Sequence, residues 1–242
     1  MSELSWWSLA KVFVPKVVPR LWLNIWHWNT VEERLLEFVK STAKEGDVTS
    51  VLSSADRFIR EKEWMMNIQC EKRLKIEEVL EERKPKACLE LGTYFGYSAI
   101  STASKLPKEG RLITLEIKEK NAAIAQQFIQ FAGLNDKISI SVGKATDIIP
   151  TLRSRYSIDK LDYVFLDHWK SDYLPDLKLL EEHGLLSNGA VIIADNILIP
   201  GIPDYLKYVE SSDKFTTERF YFQVESLGVK DAMTISIYNG NQ

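Results

Sequence analysis

Cysteine is nearly absent from this 242-residue chain, and the only two, Cys70 and Cys88, lack the C-x-x-C spacing of a zinc or redox site. Two thiols cannot make a disulfide framework either, so the plain reading is a cytoplasmic protein with both reduced. An excess of charge of one sign is also missing. With 31 basic and 34 acidic side chains the net charge is −3, which leaves no basic footprint for nucleic acid. Nor is there a long hydrophobic run. Lys11, Lys16 and Arg20 interrupt the most apolar stretch before it reaches the roughly 18 residues that a bilayer demands. They lie within or after that stretch, and Glu3 stands at the start, which is not the order of a secretory signal. At 45% hydrophobic and 27% charged residues the composition excludes a disordered, collagen-like or polytopic membrane chain. The length fits one domain, with roughly three quarters of its surface buried.

Tryptophan is what the sequence has in one place. Five of seven (Trp6, Trp7, Trp22, Trp26, Trp28) crowd into the first 28 residues, among valines, leucines and the three cations. This sets residues 1–29 apart from a domain over 30–242. Two readings of the segment stand. It lies in a membrane interface as a peripheral anchor, indoles at headgroup depth and cations on anionic lipid, or it packs on the surface of its own domain. Pro15 and Pro19 break any single long helix in either case.

From Thr30 the chain becomes regular. Thr30 and Glu33 have the spacing of a capping box, and Val31, Leu35, Leu36, Phe38 and Val39 form an apolar stripe. Further helices are predicted at about 48 to 62 and 72 to 83. Apolar runs of strand type follow at about 87 to 91, 111 to 117, 138 to 142, 161 to 166 and 190 to 194, with segments of helical length between them. That alternation predicts right-handed βαβ units and a mainly parallel sheet. The last two runs, 215 to 224 and 232 to 239, have no helix between them and must pair antiparallel.

Ligands of such a sheet bind beyond the carboxyl ends of its strands. The first strand runs into Glu90-Leu91-Gly92-Thr93-Tyr94-Phe95-Gly96-Tyr97-Ser98, a glycine turn with G-x-x-x-G spacing rather than the G-x-G-x-x-G of a dinucleotide site. Twenty residues after Gly96, Glu116 ends the second strand, where a carboxylate accepts hydrogen bonds from ribose hydroxyls. A ribose without a phosphate points to S-adenosylmethionine, although a glycine turn and an acidic strand end are also ordinary βα connection chemistry. Two later tips carry Asp167-His168-Trp169-Lys170 and Asp195-Asn196. Two carboxylates and an amide oxygen are hard donors that suit Mg²⁺ with positions left open. Lys170, one step from that set, is expected to have its pKa lowered toward that of a general base.

These motifs, with Phe165 to Lys170, Ala194-Asp195-Asn196 and Pro200-Gly201, resemble catechol O-methyltransferases of the animal type, over residues 30 to 240. The resemblance implies an α/β, Rossmann-like, S-adenosylmethionine-dependent methyltransferase fold. Its sheet would have seven mostly parallel strands and an antiparallel C-terminal pair. It implies Asp167, Asp195 and Asn196 as ligands of Mg²⁺, Lys170 as base, and Glu225 as holder of the hydroxyl that is not methylated. Asn196 joins Lys170 and Glu225 in the catalytic set. Cofactor contacts would come from Ile68, Glu90, Gly92, Tyr94, Ser98, Glu116, Ile117, Gly143, Ala145, Thr146, Asp167, His168 and Trp169. Trp64, Trp169 and Pro200 would wall a flat aromatic substrate. The implied protein is a monomer acting on a small catechol. Two departures bear on cofactor affinity: Gly143-Lys144-Ala145-Thr146 where small polar residues are usual, and Phe95 in place of cysteine. Two other readings stand beside this one, a Mg²⁺ methyltransferase for other vicinal phenols and a non-catalytic, chaperone-like adaptor that keeps the fold. Nothing in packing alone requires Asp167, Lys170, Asp195, Asn196 and Glu225 together.

Overall fold

The structure, a computed structural model, describes residues 29–66, 68, 70–224 and 228–240. The tryptophan-rich segment and Glu225 therefore lie outside the described residues. Three helices lead in: α1 (Val31–Thr42), α2 (Val48–Glu61) and α3 (Cys70–Arg83). The capping box of α1 is formed, Glu33 N–H donating to Thr30 Oγ1 at 3.3 Å and Thr30 N–H to Glu33 Oε2 at 2.6 Å. Its expected stripe is buried at Val31, Leu35, Leu36 and Val39, while Phe38 packs against it half-buried.

The body alternates as the sequence predicts: β1 (Ala87–Leu91), α4 (Tyr97–Lys105), β2 (Arg111–Glu116), α5 (Glu119–Phe131) and β3 (Ile138–Val142). Two short helices, α6 (Ala145–Ile148) and α7 (Leu152–Tyr156), precede β4 (Leu161–Leu166), α8 (Tyr173–Glu182) and β5 (Leu186–Ala194). The chain closes with α9 (Pro203–Ser211), β6 (Phe215–Val224) and β7 (Val229–Tyr238). The seven strands lie in the order β3-β2-β1-β4-β5-β7-β6. β1 to β5 are parallel, and β7 runs antiparallel to both β5 and β6, inserted between them.

Both faces of the sheet are covered, which is why the central strands read as continuous apolar runs. Cys88, Tyr163, Phe165, Val191 and Ile193 face one core with residues of α1 to α5. Leu89, Leu91, Val164, Leu166 and Ile192 face the other, with α7, α8 and α9. Strand order reverses between β1 and β4, so a crevice opens beyond their carboxyl ends. Three boundaries differ from expectation. α3 begins at Cys70, β5 begins at Leu186 and β7 at Val229. β5 passes Gly189 (φ +84°) with a register irregularity opposite Leu161 and Tyr163, so Ser187-Asn188-Gly189 is a bulged part of the strand. Among the described residues no helix is long and apolar enough to cross a membrane.

Candidate active site

The turn after β1 is built by glycine. Gly92 has φ +107°, and a Cβ there would stand 2.4 Å from the carbonyl oxygen of Asp167, so only glycine lets this turn touch the tip of β4. Gly92 and Thr93 both donate their N–H to Leu115 O at 3.0 Å, which fixes the turn to β2. Tyr94 adopts φ +50°, a conformation held from two sides. Its N–H donates to Glu116 Oε2 at 2.8 Å and its hydroxyl to Glu32 Oε1, on α1, at 2.6 Å. Glu116 Oε1 accepts from Lys118 N–H at 2.9 Å. Each carboxylate oxygen thus keeps a lone pair for a further donor. Gly143 donates its N–H to Glu116 O at 2.9 Å and brings the rim of Ala145 and Thr146 alongside, with Ile117 exposed next to it.

Glu90 is the buried acid of this half. It is 1% exposed, and Thr114 donates its hydroxyl to Oε2 at 2.5 Å. Burial pushes its carboxyl up to about 7, against the hydrogen bond from Thr114. Oε1 is buried and has no partner among the described residues. A buried polar atom left in this way is open to a donor from a ligand or a water.

The second half sits on the tips of β4 and β5. Asp167 N–H donates to Leu91 O at 2.9 Å and Asp195 N–H to Leu166 O at 3.1 Å, so the ladder carries both acids to the same edge. Asn196 takes the left-handed conformation (φ +57°) that Asn tolerates better than most side chains. Its Nδ2 donates to Asp231 Oδ2 at 3.0 Å, which turns the amide oxygen away from β7. Asp231 Oδ1 accepts from Leu198 N–H (3.1 Å), Ile199 N–H (3.2 Å) and Ala232 N–H (2.8 Å), pinning the segment before the cis Ile199-Pro200 bond. Among the described residues no group of three or more His, Cys, Asp or Glu side chains is placed to hold a metal. The donor set here is instead two carboxylates and one amide oxygen, the hard oxygen chemistry that fits Mg²⁺.

Lysines balance the two acids. Lys170 Nζ donates to Asp167 Oδ1 at 3.1 Å and to the Tyr173 hydroxyl at 2.5 Å, and that hydroxyl donates to Asp195 O at 3.3 Å. Lys72, on α3, donates to both Asp195 oxygens, at 2.7 and 2.8 Å. Loss of water holds the Asp167 carboxyl above its usual range. Lys170 opposes that shift, Asp195 adds to it, and Lys72 opposes it. His168 Nε2 pairs with Asp176 Oδ2 at 2.8 Å and its ring stacks on Tyr173 with centroids 5.0 Å apart. Trp169 is 77% exposed at the mouth, with Pro200 exposed, Trp64 half-buried and Ile68 buried.

The predicted site residues among the described ones lie on strand tips, on the turns that follow them, in the first turns of α4 (Ser98) and α6 (Ala145, Thr146), or in the 64–68 segment. Sequence reasoning missed Lys72, Asp231, Tyr173 and Glu32. Tyr173 alone carried a signal, three residues beyond Lys170 at the start of a helix.

A family described as O-methyltransferase matches residues 42–219. Catechol O-methyltransferase of Mus musculus is 44% identical over 97% of this chain and 88% of its own. The transmembrane O-methyltransferase of Homo sapiens is 35% identical, over 87% and 73% of the two chains. The crystal structure of an O-methyltransferase from Streptomyces achromogenes, in complex with SAM, superposes with a TM-score of 0.69 at 25% identity, covering 87% of this chain and 100% of that one. The chain belongs to the O-methyltransferase family and is an S-adenosylmethionine-dependent methyltransferase.

Proposed function

We propose that this enzyme moves the methyl group of S-adenosylmethionine onto one hydroxyl of a catechol, with Mg²⁺ held by Asp167, Asp195 and Asn196. One observation carries the reading: Gly92 rests on the main chain of Asp167, so the ribose-type turn and the hard-oxygen tip share a wall. The length and level of identity to proteins named catechol O-methyltransferase support the substrate class.

On the cofactor side, the open lone pairs of Glu116 suit ribose hydroxyls, and the orphaned Glu90 Oε1 suits the ammonium of the methionine part. Gly92, Tyr94 and Ser98 line the turn. Ile117, Gly143, Ala145 and Thr146 take the adenosine side, with Ile68, His168 and Trp169 closing around it. When bound, S-adenosylmethionine supplies a methyl on a positively charged sulfur. When bound, Mg²⁺ supplies Lewis-acid stabilisation of a substrate oxygen.

The remaining work falls to side chains of this chain. Lys170 Nζ, hydrogen-bonded to Asp167 and Tyr173, takes the proton of the hydroxyl that becomes methylated in this reading. Asn196, turned by Asp231, keeps its oxygen for the metal. Trp64, Trp169 and Pro200 wall a flat ring and hold it close to the methyl, where positioning supplies much of the rate. Glu225, the residue after the end of β6, takes the second hydroxyl in this reading. The enzyme acts as a cytoplasmic monomer, with residues 1–28 as a peripheral membrane contact.

The test is transfer of labelled methyl from S-adenosylmethionine to dopamine. Label in the catechol product with Mg²⁺, and none in excess EDTA, is the expected result. Undiminished transfer in EDTA removes the metal from the account.

A further inference from the structure

Lys72 belongs to neither the glycine turn nor the strand tips. It reaches from α3 to the tip of β5, spans 123 positions in sequence and is 4% exposed. Two of its three ammonium protons go to Asp195 Oδ1 and Oδ2, and the ammonium stands 4.4 Å from the centroid of the Phe222 ring on β6. Asp195, itself 4% exposed, also accepts from Asn196 N–H at 2.7 Å. The ammonium is thus paired with the acid and the ring, and both oxygens of the acid accept from it.

A buried ion pair is weak as a device for stability, since a well-packed apolar pair of similar volume often does as well or better. Lys72 therefore asks for another role, and the local charges suggest it. Asp167 and Asp195 are matched one for one by Lys170 and Lys72. A divalent cation arriving there meets a carboxylate whose two oxygens already face a positive charge.

We propose, resting on the magnesium reading above, that Lys72 is a built-in counter-cation of the metal site. It neutralises Asp195 while the site is empty, and it weakens metal binding by like-charge repulsion, so that the metal exchanges readily. Lys72 is a positioning residue in this role. It touches Asp195 and needs no contact with substrate.

Calorimetry of Mg²⁺ binding to the full-length protein with S-adenosylmethionine present tests this, on wild type, Lys72→Met and Lys72→Gln. Both variants remove the charge, and the second keeps a hydrogen-bond donor. Each is expected to bind Mg²⁺ about ten-fold or more tightly than wild type, because the like charge beside Asp195 is gone. Each is also expected to gain more in melting temperature from Mg²⁺ than wild type does, because the metal then does what the ammonium did. Binding by all three proteins with equal or weaker affinity in the variants overturns the counter-cation alone. Absence of Mg²⁺ binding by every protein overturns the magnesium reading and this proposal with it. Failure of both variants to fold even at saturating Mg²⁺ also overturns the proposal, since the metal would then not replace the ammonium.

Discussion

Replacing Asp231 separates the scaffold of the site from its chemistry. This carboxylate is 1% exposed and accepts four hydrogen bonds, from the Asn196 amide and from the N–H groups of Leu198, Ile199 and Ala232. Asp231→Ala strands those donors together, and at about 1 to 3 kcal/mol for each buried one, less what water recovers near the exposed Leu198, the loss is expected at roughly 3 to 5 kcal/mol. That is a large part of the 5 to 15 kcal/mol typical of a folded domain. Asp231→Asn keeps the volume and one acceptor oxygen but turns a donor toward Asn196 or toward the Leu198 and Ile199 amides, for an expected loss of about 1 to 2 kcal/mol. Urea unfolding at constant m-value measures both. The same Asn variant releases the amide of Asn196, so its Mg²⁺ affinity is expected to fall about 10- to 100-fold, the usual effect of losing an outer-shell partner. A loss under 1 kcal/mol for Asp231→Ala would show that these four contacts are not hydrogen bonds that hold the segment.

Lys170→Met is expected to lower kcat by about 10² to 10⁴ while S-adenosylmethionine still binds. A rise in KM at constant kcat would make Lys170 a binding residue instead. Glu90 gives a pH signature. Its carboxyl is raised to about 7 in the fold, so the folded state holds a proton that the unfolded chain gives up above about 4.5, and its contribution is full at low pH and lost as pH rises through 7. Unfolding at pH 5 and 7.5 should show Glu90→Gln gaining on wild type by up to about 3 kcal/mol at the higher pH, and parallel curves would contradict the burial of that acid. Sedimentation with anionic vesicles at low and high salt checks residues 1–28. Salt-sensitive binding that is lost on deleting them is expected, and full-length protein left in the supernatant throughout would place those tryptophans on the protein itself.

The strands were legible because both sheet faces are buried, which writes each as an apolar run, and the tips were legible because acids and glycines end those runs. Asp167, Asp195 and Asn196 stood out for that reason. Lys72 did not. In Cys70–Arg83 it is one charge among many on a polar helix, and only the packing of α3 across the strand tips buries it. Asp231 hid similarly, since β7 lies inside the sheet rather than at its edge and a polar residue near its start reads as solvent-facing. The insertion of β7 between β5 and β6 cannot be read from a short connection, which is compatible with either order. Glu32 looked like a first-turn acid of α1 and is buried instead under the Tyr94 hydroxyl.

In the proposed reaction a metal on Asp167, Asp195 and Asn196 selects two adjacent hydroxyls for a methyl held by the turn after β1. Methylation of catechol and of resorcinol, which differ only in the spacing of their hydroxyls, tests it most directly, measured side by side with labelled S-adenosylmethionine at saturating Mg²⁺. Rapid labelling of catechol and little or none of resorcinol is expected; equal rates for the two would rule out selection by a chelating metal.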